Sequence, residues 1–81
     1  MGKMTQTGRI LRHLNDYGSI TPLEALEQYG IMRLGARIWD LKQLGYDIET
    51  IMERAINKYG ETVHYARYLL RKEDKNDTYR H

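Results

Sequence analysis

The hydrophobic period of this 81-residue chain changes once, at Gly45. Upstream of it, apolar residues recur every three to four positions. Downstream, Tyr46 to Ile56 and Thr62 to Leu70 form two runs rich in isoleucine, threonine and tyrosine, separated by the turn cluster Asn57-Lys58-Tyr59-Gly60-Glu61. A period near 3.6 puts apolar side chains on one face of a helix, whereas β-branched and aromatic runs around a short polar cluster pair as a hairpin. Helices first and a hairpin last is therefore the expected order: a mostly α chain with a small β-sheet. At this length it holds one small domain. We place that domain at residues 5–70, with a flexible N-terminus at 1–4 and a charged, disordered tail at 71–81.

Three helices are expected before the switch. The first runs from about Thr5 to Tyr17, with Ile10, Leu11, Leu14 and Tyr17 on one face and Arg9, Arg12, His13 and Asp16 on the other. Thr5 or Thr7 can cap its start, and Gly18 stops it. Ser19-Ile20 is too short for a helix and suits a brief strand that pairs with the hairpin. Thr21-Pro22-Leu23-Glu24 then carries the clearest start signal in the chain. The Thr21 side chain accepts from the third helical amide, Glu24 reaches back to the Thr21 amide, and Pro22 sits where no donor is needed. Leu23 and Leu26, with Ala25, are expected to face the core, and Tyr29-Gly30 closes the helix. After a tight turn at Gly30-Ile31, the stripe Leu34, Ile38, Leu41 marks a third helix that ends at Gly45. Two helices joined by a glycine turn, the second longer and richer in arginine, describe a helix-turn-helix.

A centred hairpin register pairs Ile48 with Leu70, Thr50 with Tyr68, Met52 with Ala66 and Arg54 with His64. This more apolar face is expected to lie on the helices. The other face carries Glu49, Ile51 and Glu53 across from Leu69, Arg67 and Tyr65, with a diagonal Glu53–Arg67 pair and room for a bulge at Ile51. Helix, short strand, helix, helix, hairpin is the order of a winged helix.

With these elements in place, the chain resembles the small winged helix-turn-helix proteins of bacteriophages and prophages. The resemblance rests on Gly18-Ser19-Ile20-Thr21-Pro22-Leu23-Glu24-Ala25-Leu26, Arg33-Leu34-Gly35-Ala36-Arg37-Ile38-Trp39-Asp40-Leu41, Gly45-Tyr46-Asp47-Ile48-Glu49-Thr50 and Ala66-Arg67-Tyr68-Leu69-Leu70. It covers roughly residues 7 to 70. Three helices plus a C-terminal β-hairpin wing, and binding of double-stranded DNA, are what it implies. The role it implies is a transcription regulator or an excisionase-like architectural factor. Gly35 departs from the alanine expected there, at a helix cost of ~1 kcal/mol. That marks a close approach to DNA or to the second helix.

The helix-turn-helix geometry sets out the contacts. The third helix enters the major groove with its N-terminal residues first. Opposite its buried stripe lie Met32, Arg33, Ala36, Asp40 and Gln43. Arg33 suits guanine, Gln43 suits adenine or a phosphate, and Met32 or Ala36 suits a thymine methyl. Thr21 and the amides of the second helix suit a phosphate, and Lys58 and Tyr59 at the hairpin tip suit a phosphate or the minor groove. Arg37 and Asp40, three residues apart, form a surface pair on the structural reading, which is slightly favoured for Arg37 over base contact. Tyr46 and Tyr68 belong to the core or strands. Trp39 lies on the flank of the third helix and is expected to fold onto the hairpin or the tail.

Net charge is +2, and its placement says more than its size. Arg9, Arg12, Arg33, Arg37, Lys42 and Lys58 fall on the elements that would face a duplex. Glu24 and Glu27 lie on one helix, and Asp47, Glu49 and Glu53 on one strand. The chain has no cysteine. His13, His64 and His81 show no ligand spacing, so no cofactor or metal is expected. No phosphate loop or nucleophile motif supports an enzyme or a small-molecule substrate. With neither a leader-like apolar run at Met1–Gln6 nor a stretch approaching ~20 apolar residues, a cytoplasmic location in a bacterial host is expected, with no membrane partner. A winged helix that docks on a host or phage protein is the rival to DNA binding, and a homodimer is open.

Overall fold

The structure, a computed structural model, describes residues 5–71. The expectations for residues 1–4 and for the tail beyond Arg71 lie outside the described residues. The elements are α1 (Gln6–Tyr17), β1 (Ser19–Ile20), α2 (Pro22–Tyr29), α3 (Leu34–Gln43), β2 (Ile48–Ile56) and β3 (Thr62–Leu70), with the strands in the antiparallel order β1-β3-β2.

Local chemistry sets the boundaries. Thr5 caps α1 by accepting from the Gly8 amide at 3.0 Å. At α2 the reciprocal capping box is complete: the Thr21 amide donates to Glu24 Oε1 at 2.9 Å, and the Glu24 amide donates to Thr21 Oγ1 at 3.2 Å. Gly30 ends α2 at φ +69, and the next amide, of Ile31, returns to the Ala25 carbonyl at 3.1 Å. A left-handed residue with no Cβ reverses the chain at the start of the short connection that leads to α3.

The hairpin register is the one expected, from Ile48–Leu70 to Ile56–Thr62. It is continuous, so Ile51 forms no bulge. Glu53 and Arg67 do pair diagonally. The two-residue β1 adds Ser19 to Leu69 and Ile20 to Tyr68, which fastens the hairpin to the α1–α2 corner.

The core consists of Ile10, Leu14, Ile20, Ala25, Ile31, Leu34, Ile38, Leu41 and Ile48, with Leu11, Tyr29, Tyr68 and Leu70 packed against it. Several faces differ from the sequence reading. Leu23 is 61 % exposed and Leu26 is exposed too. The capping box fixes the rotation of α2 so that Ala25 and Tyr29, one turn apart, point inward. His13, placed on the polar face of α1, is buried at 3 % exposure beside Ile10 and Leu14. Its Nδ1 lies 2.7 Å from the Tyr29 hydroxyl, which satisfies the ring where α1 meets α2. Tyr17, expected in the stripe, is exposed at the end of α1 and packs only its ring against His13. Tyr46 is also exposed, whereas Tyr68 joins the core. Only the base of the apolar hairpin face packs on the helices: Ile48 is buried, and Met52, Arg54 and His64 are exposed. Strands of nine residues reach about 30 Å, farther than the short helices can cover.

Candidate nucleic-acid interface

The connection from Gly30 to Arg33 is non-helical, with Gly30 left-handed and a bend at Met32, and it is exposed at Gly30, Met32 and Arg33. Met32 is 81 % exposed, and Arg33 occupies the N-cap of α3 without a side-chain cap bond. Both precede the helix, which begins at Leu34, so they do not share a helical face with Ala36 and Gln43. The non-helical backbone of Arg33 (φ −112, ψ 61) shifts the start of α3 past them. The fold nevertheless brings Met32, Arg33, Ala36 and Arg37 together with Gln6 and Gly30 around a shallow concavity of about 400 Å³.

Arg37 and Asp40 hold α3 against α1. Arg37 Nε lies 3.2 Å from Asp40 Oδ2, out of line for a hydrogen bond, so that contact is an ion pair only. One Arg37 terminal nitrogen donates to Gln6 Oε1 at 3.5 Å, and the Thr7 hydroxyl donates to Asp40 Oδ2 at 3.4 Å. The open side of α3 is formed by Gly35, Trp39, Lys42 and Gln43. Trp39 is 61 % exposed, and it is not among the residues packed against the core. At that exposure it is not folded away against the hairpin, and its expected packing on the tail lies outside the described residues. The residues around it on α3 are glycine, lysine and glutamine, which leave the indole uncovered. Sequence reasoning placed Trp39 on a flank and did not count Lys42 among the contacts. The helical angle of each from the buried stripe was the signal available for both.

Thr21 is buried, and its hydroxyl is spent on the cap, so it positions the first turn of α2. Lys58 and Tyr59 project from the hairpin tip, with Lys58 Nζ 5.2 Å from the centre of the Tyr59 ring. The tip is locked by Asn57, whose Oδ1 accepts from the Tyr59 and Glu61 amides at 2.9 and 3.0 Å. The nine-residue strands separate this tip from the α3 residues.

Arg67 anchors the base of the hairpin. Its Nε donates to both Glu53 oxygens at 3.0 Å, a terminal nitrogen donates to Ser19 Oγ at 3.0 Å, and Glu24 Oε1 lies 3.9 Å away. Hydrogen bonds from Tyr65 and then from Arg67 hold the Glu53 carboxyl below the usual carboxylate range. The same carboxylate raises the Tyr65 phenol and strengthens the hold of Arg67 on its proton. A groove of about 820 Å³ between α2 and this side of the hairpin is lined by Leu23, Leu26, Met32 and Val63, with Glu27 at its rim. Its walls are mainly apolar, and the one arginine on them, Arg67, is already paired with Glu53.

The charges sort into two groups. Arg12, Arg37, Arg67 and Arg71 each have a carboxylate within 4 Å, and they engage six of the acids. Among the described residues, Arg9, Arg33, Lys42, Arg54 and Lys58 have none, and all are exposed. The four paired arginines offset part of the negative charge, and the cations without a carboxylate lie on α1, at both ends of α3 and along the hairpin. No group of three or more His, Cys, Asp or Glu among the described residues could hold a metal ion. No described helix is long and apolar enough to cross a membrane. A family model described as a winged helix-turn-helix domain matches residues 5–73. Comparisons with curated proteins and with solved structures give no match.

Proposed function

The chain belongs to the winged helix-turn-helix domain family, and from that premise we propose that it binds double-stranded DNA, with α3 in the major groove and the β2–β3 hairpin as the wing. The observation that carries this reading is the set of exposed cations without carboxylate partners on α1, α3 and the hairpin. Phosphate binding needs such charges, and a lysine or arginine already neutralised by a neighbour contributes little to it.

Within this reading, Arg33 reaches a guanine edge, Met32 or Ala36 meets a thymine methyl, and Gln43 contacts adenine or a phosphate. Thr21 presents the first turn of α2 to the backbone, and Lys58 and Tyr59 extend contacts to a neighbouring phosphate. Arg37 and Asp40 keep α3 at its angle to α1. Trp39 and Lys42 join the interface, the indole against the groove wall and the ammonium on a phosphate. The resemblance to phage and prophage proteins supports a role in transcription control or in bending DNA for recombination, inside a bacterial cell.

The test is fluorescence anisotropy with a labelled random-sequence duplex over a series of salt concentrations. Engagement of four or five cations gives a slope of log K on log salt of about −4. Absence of binding to the duplex even at low salt would overturn the proposal.

A further inference from the structure

β2 is an edge strand, since β3 lies between it and β1. Two bonds flank the β2–β3 ladder and set its phase: the Asn57 amide donates to the Glu61 carbonyl at 2.9 Å, and the Arg71 amide donates to the Asp47 carbonyl at 2.8 Å. Antiparallel ladders alternate, so the odd-numbered residues of β2 bond to β3. The even-numbered residues, Thr50, Met52 and Arg54 among them, turn their N–H and C=O groups to the free edge. Their side chains are exposed, Met52 at 62 %.

Several of the usual protections of an edge are missing from this strand, although Glu49, Glu53 and Arg54 lie on it. It has no proline, no lysine and no bulge, and Ile51, Met52 and Ile56 are exposed along it. We infer that β2 pairs with β2 of a second copy of this chain, antiparallel about a two-fold axis at Met52, to make one continuous six-stranded sheet.

Charge selects that register among those with useful overlap, since centring on Ala55 pairs only Arg54 to Ile56 of the two strands. An antiparallel pair with its two-fold perpendicular to the sheet is centred on one residue, which lies opposite its own copy. Centring on Thr50 sets Asp47 against the partner's Glu53. Centring on Ile51 sets Glu49 against the partner's Glu53. Centring on Glu53 or on Arg54 sets like charges directly together, which destabilises a cross-strand pair. Centring on Met52 sets Thr50 against the partner's Arg54, Ile51 against the partner's Glu53 and Glu49 against the partner's Ala55. No like charges meet, and Glu53 already carries its own Arg67. The hydrogen-bonding phase agrees, because Thr50, Met52 and Arg54 are the residues whose backbone groups face outward.

The chain has no cysteine, so single cysteines report the register directly. In this pairing the two residues at position 52 are hydrogen-bonded partners with Cα atoms about 5.5 Å apart, within disulfide range. The two residues at position 50 are displaced by four positions, about 13 Å. Met52→Cys, Thr50→Cys, Arg54→Cys and the tip control Lys58→Cys are oxidised mildly at high protein concentration and resolved without reductant. Folding of each is checked by circular dichroism. Met52→Cys is expected to give at least ten times the covalent dimer of the other three alone. Thr50→Cys mixed with Arg54→Cys is expected to give the heterodimer. Equal cross-linking by all single variants, or none by Met52→Cys beyond the Lys58→Cys control, would overturn the inference.

Discussion

Gly35→Ala tests the placement of α3 with one methyl group. Gly35 lies in the first turn of α3, and a Cβ built there would meet only the Tyr68 hydroxyl, at 3.9 Å. That is ordinary van der Waals contact, and the backbone is not in the left-handed region. The protein's own packing therefore leaves room for alanine, toward the hairpin and not toward α2. Removing the extra freedom of glycine from the unfolded chain stabilises a compatible site by about 0.4–1 kcal/mol. In a domain of this size that corresponds to a rise in Tm of roughly 2–8 °C. Gly30→Ala is the contrast: at φ +69 a Cβ is strained, and a loss of about 1–2 kcal/mol is expected. Thermal denaturation followed by circular dichroism reads both. An unchanged or lower Tm for Gly35→Ala would refute the reasoning, since it would mean that the α3–hairpin contact is tighter than 3.9 Å. Affinity for duplex adds a second reading. If DNA approaches the α3 backbone closely, Gly35→Ala raises Tm and weakens binding together, an outcome that a misfolded variant cannot give.

Tyr29→Phe removes the hydroxyl beside the buried His13 and is expected to cost about 1–2 kcal/mol in urea denaturation, because it leaves a polar ring atom unpaired. An unchanged midpoint would show that water replaces it freely. The Glu53 carboxyl is depressed in the fold, so its contribution is present above the usual carboxylate range and is lost as pH falls through its lowered value. The Tm difference between wild type and Glu53→Gln is expected to be largest near neutrality and to vanish in acid. Arg33→Ala should cost about 1–3 kcal/mol on a preferred sequence with little change in Tm, as the Arg33 side chain has no partner among the described residues. Lys58→Ala should weaken all sequences alike and reduce the salt slope by about one phosphate's worth.

Element order, caps and hairpin register were legible in the chain because each depends on neighbours a few residues away. The capping box at Thr21–Glu24, the stop at Gly30, the change of period at Gly45 and the centred hairpin register all depend on spacing, and spacing is written in the sequence. The Leu34, Ile38, Leu41 stripe was legible for the same reason.

The misplaced residues are those whose surroundings come from distant parts of the chain. His13 looks polar by type, and it is buried because Tyr29, sixteen residues on, supplies a hydroxyl at its ring. Leu23 and Leu26 look like core, but α2 has only eight residues and its cap fixes which side faces inward. Met32 and Arg33 continue the helical spacing of α3 on paper, although the chain does not turn helical until Leu34. The charge pattern is also a tertiary result. Composition gives a weak net charge, while the fold draws Glu24 and Glu53 to Arg67 and Asp47 and Glu49 to Arg71, leaving other cations without a carboxylate. By itself, the sequence determined the elements and their order, through short-range hydrogen bonding and periodicity. Only the tertiary structure decided which faces are covered and which charges stay open, because burial and ion pairing depend on what long-range packing brings alongside.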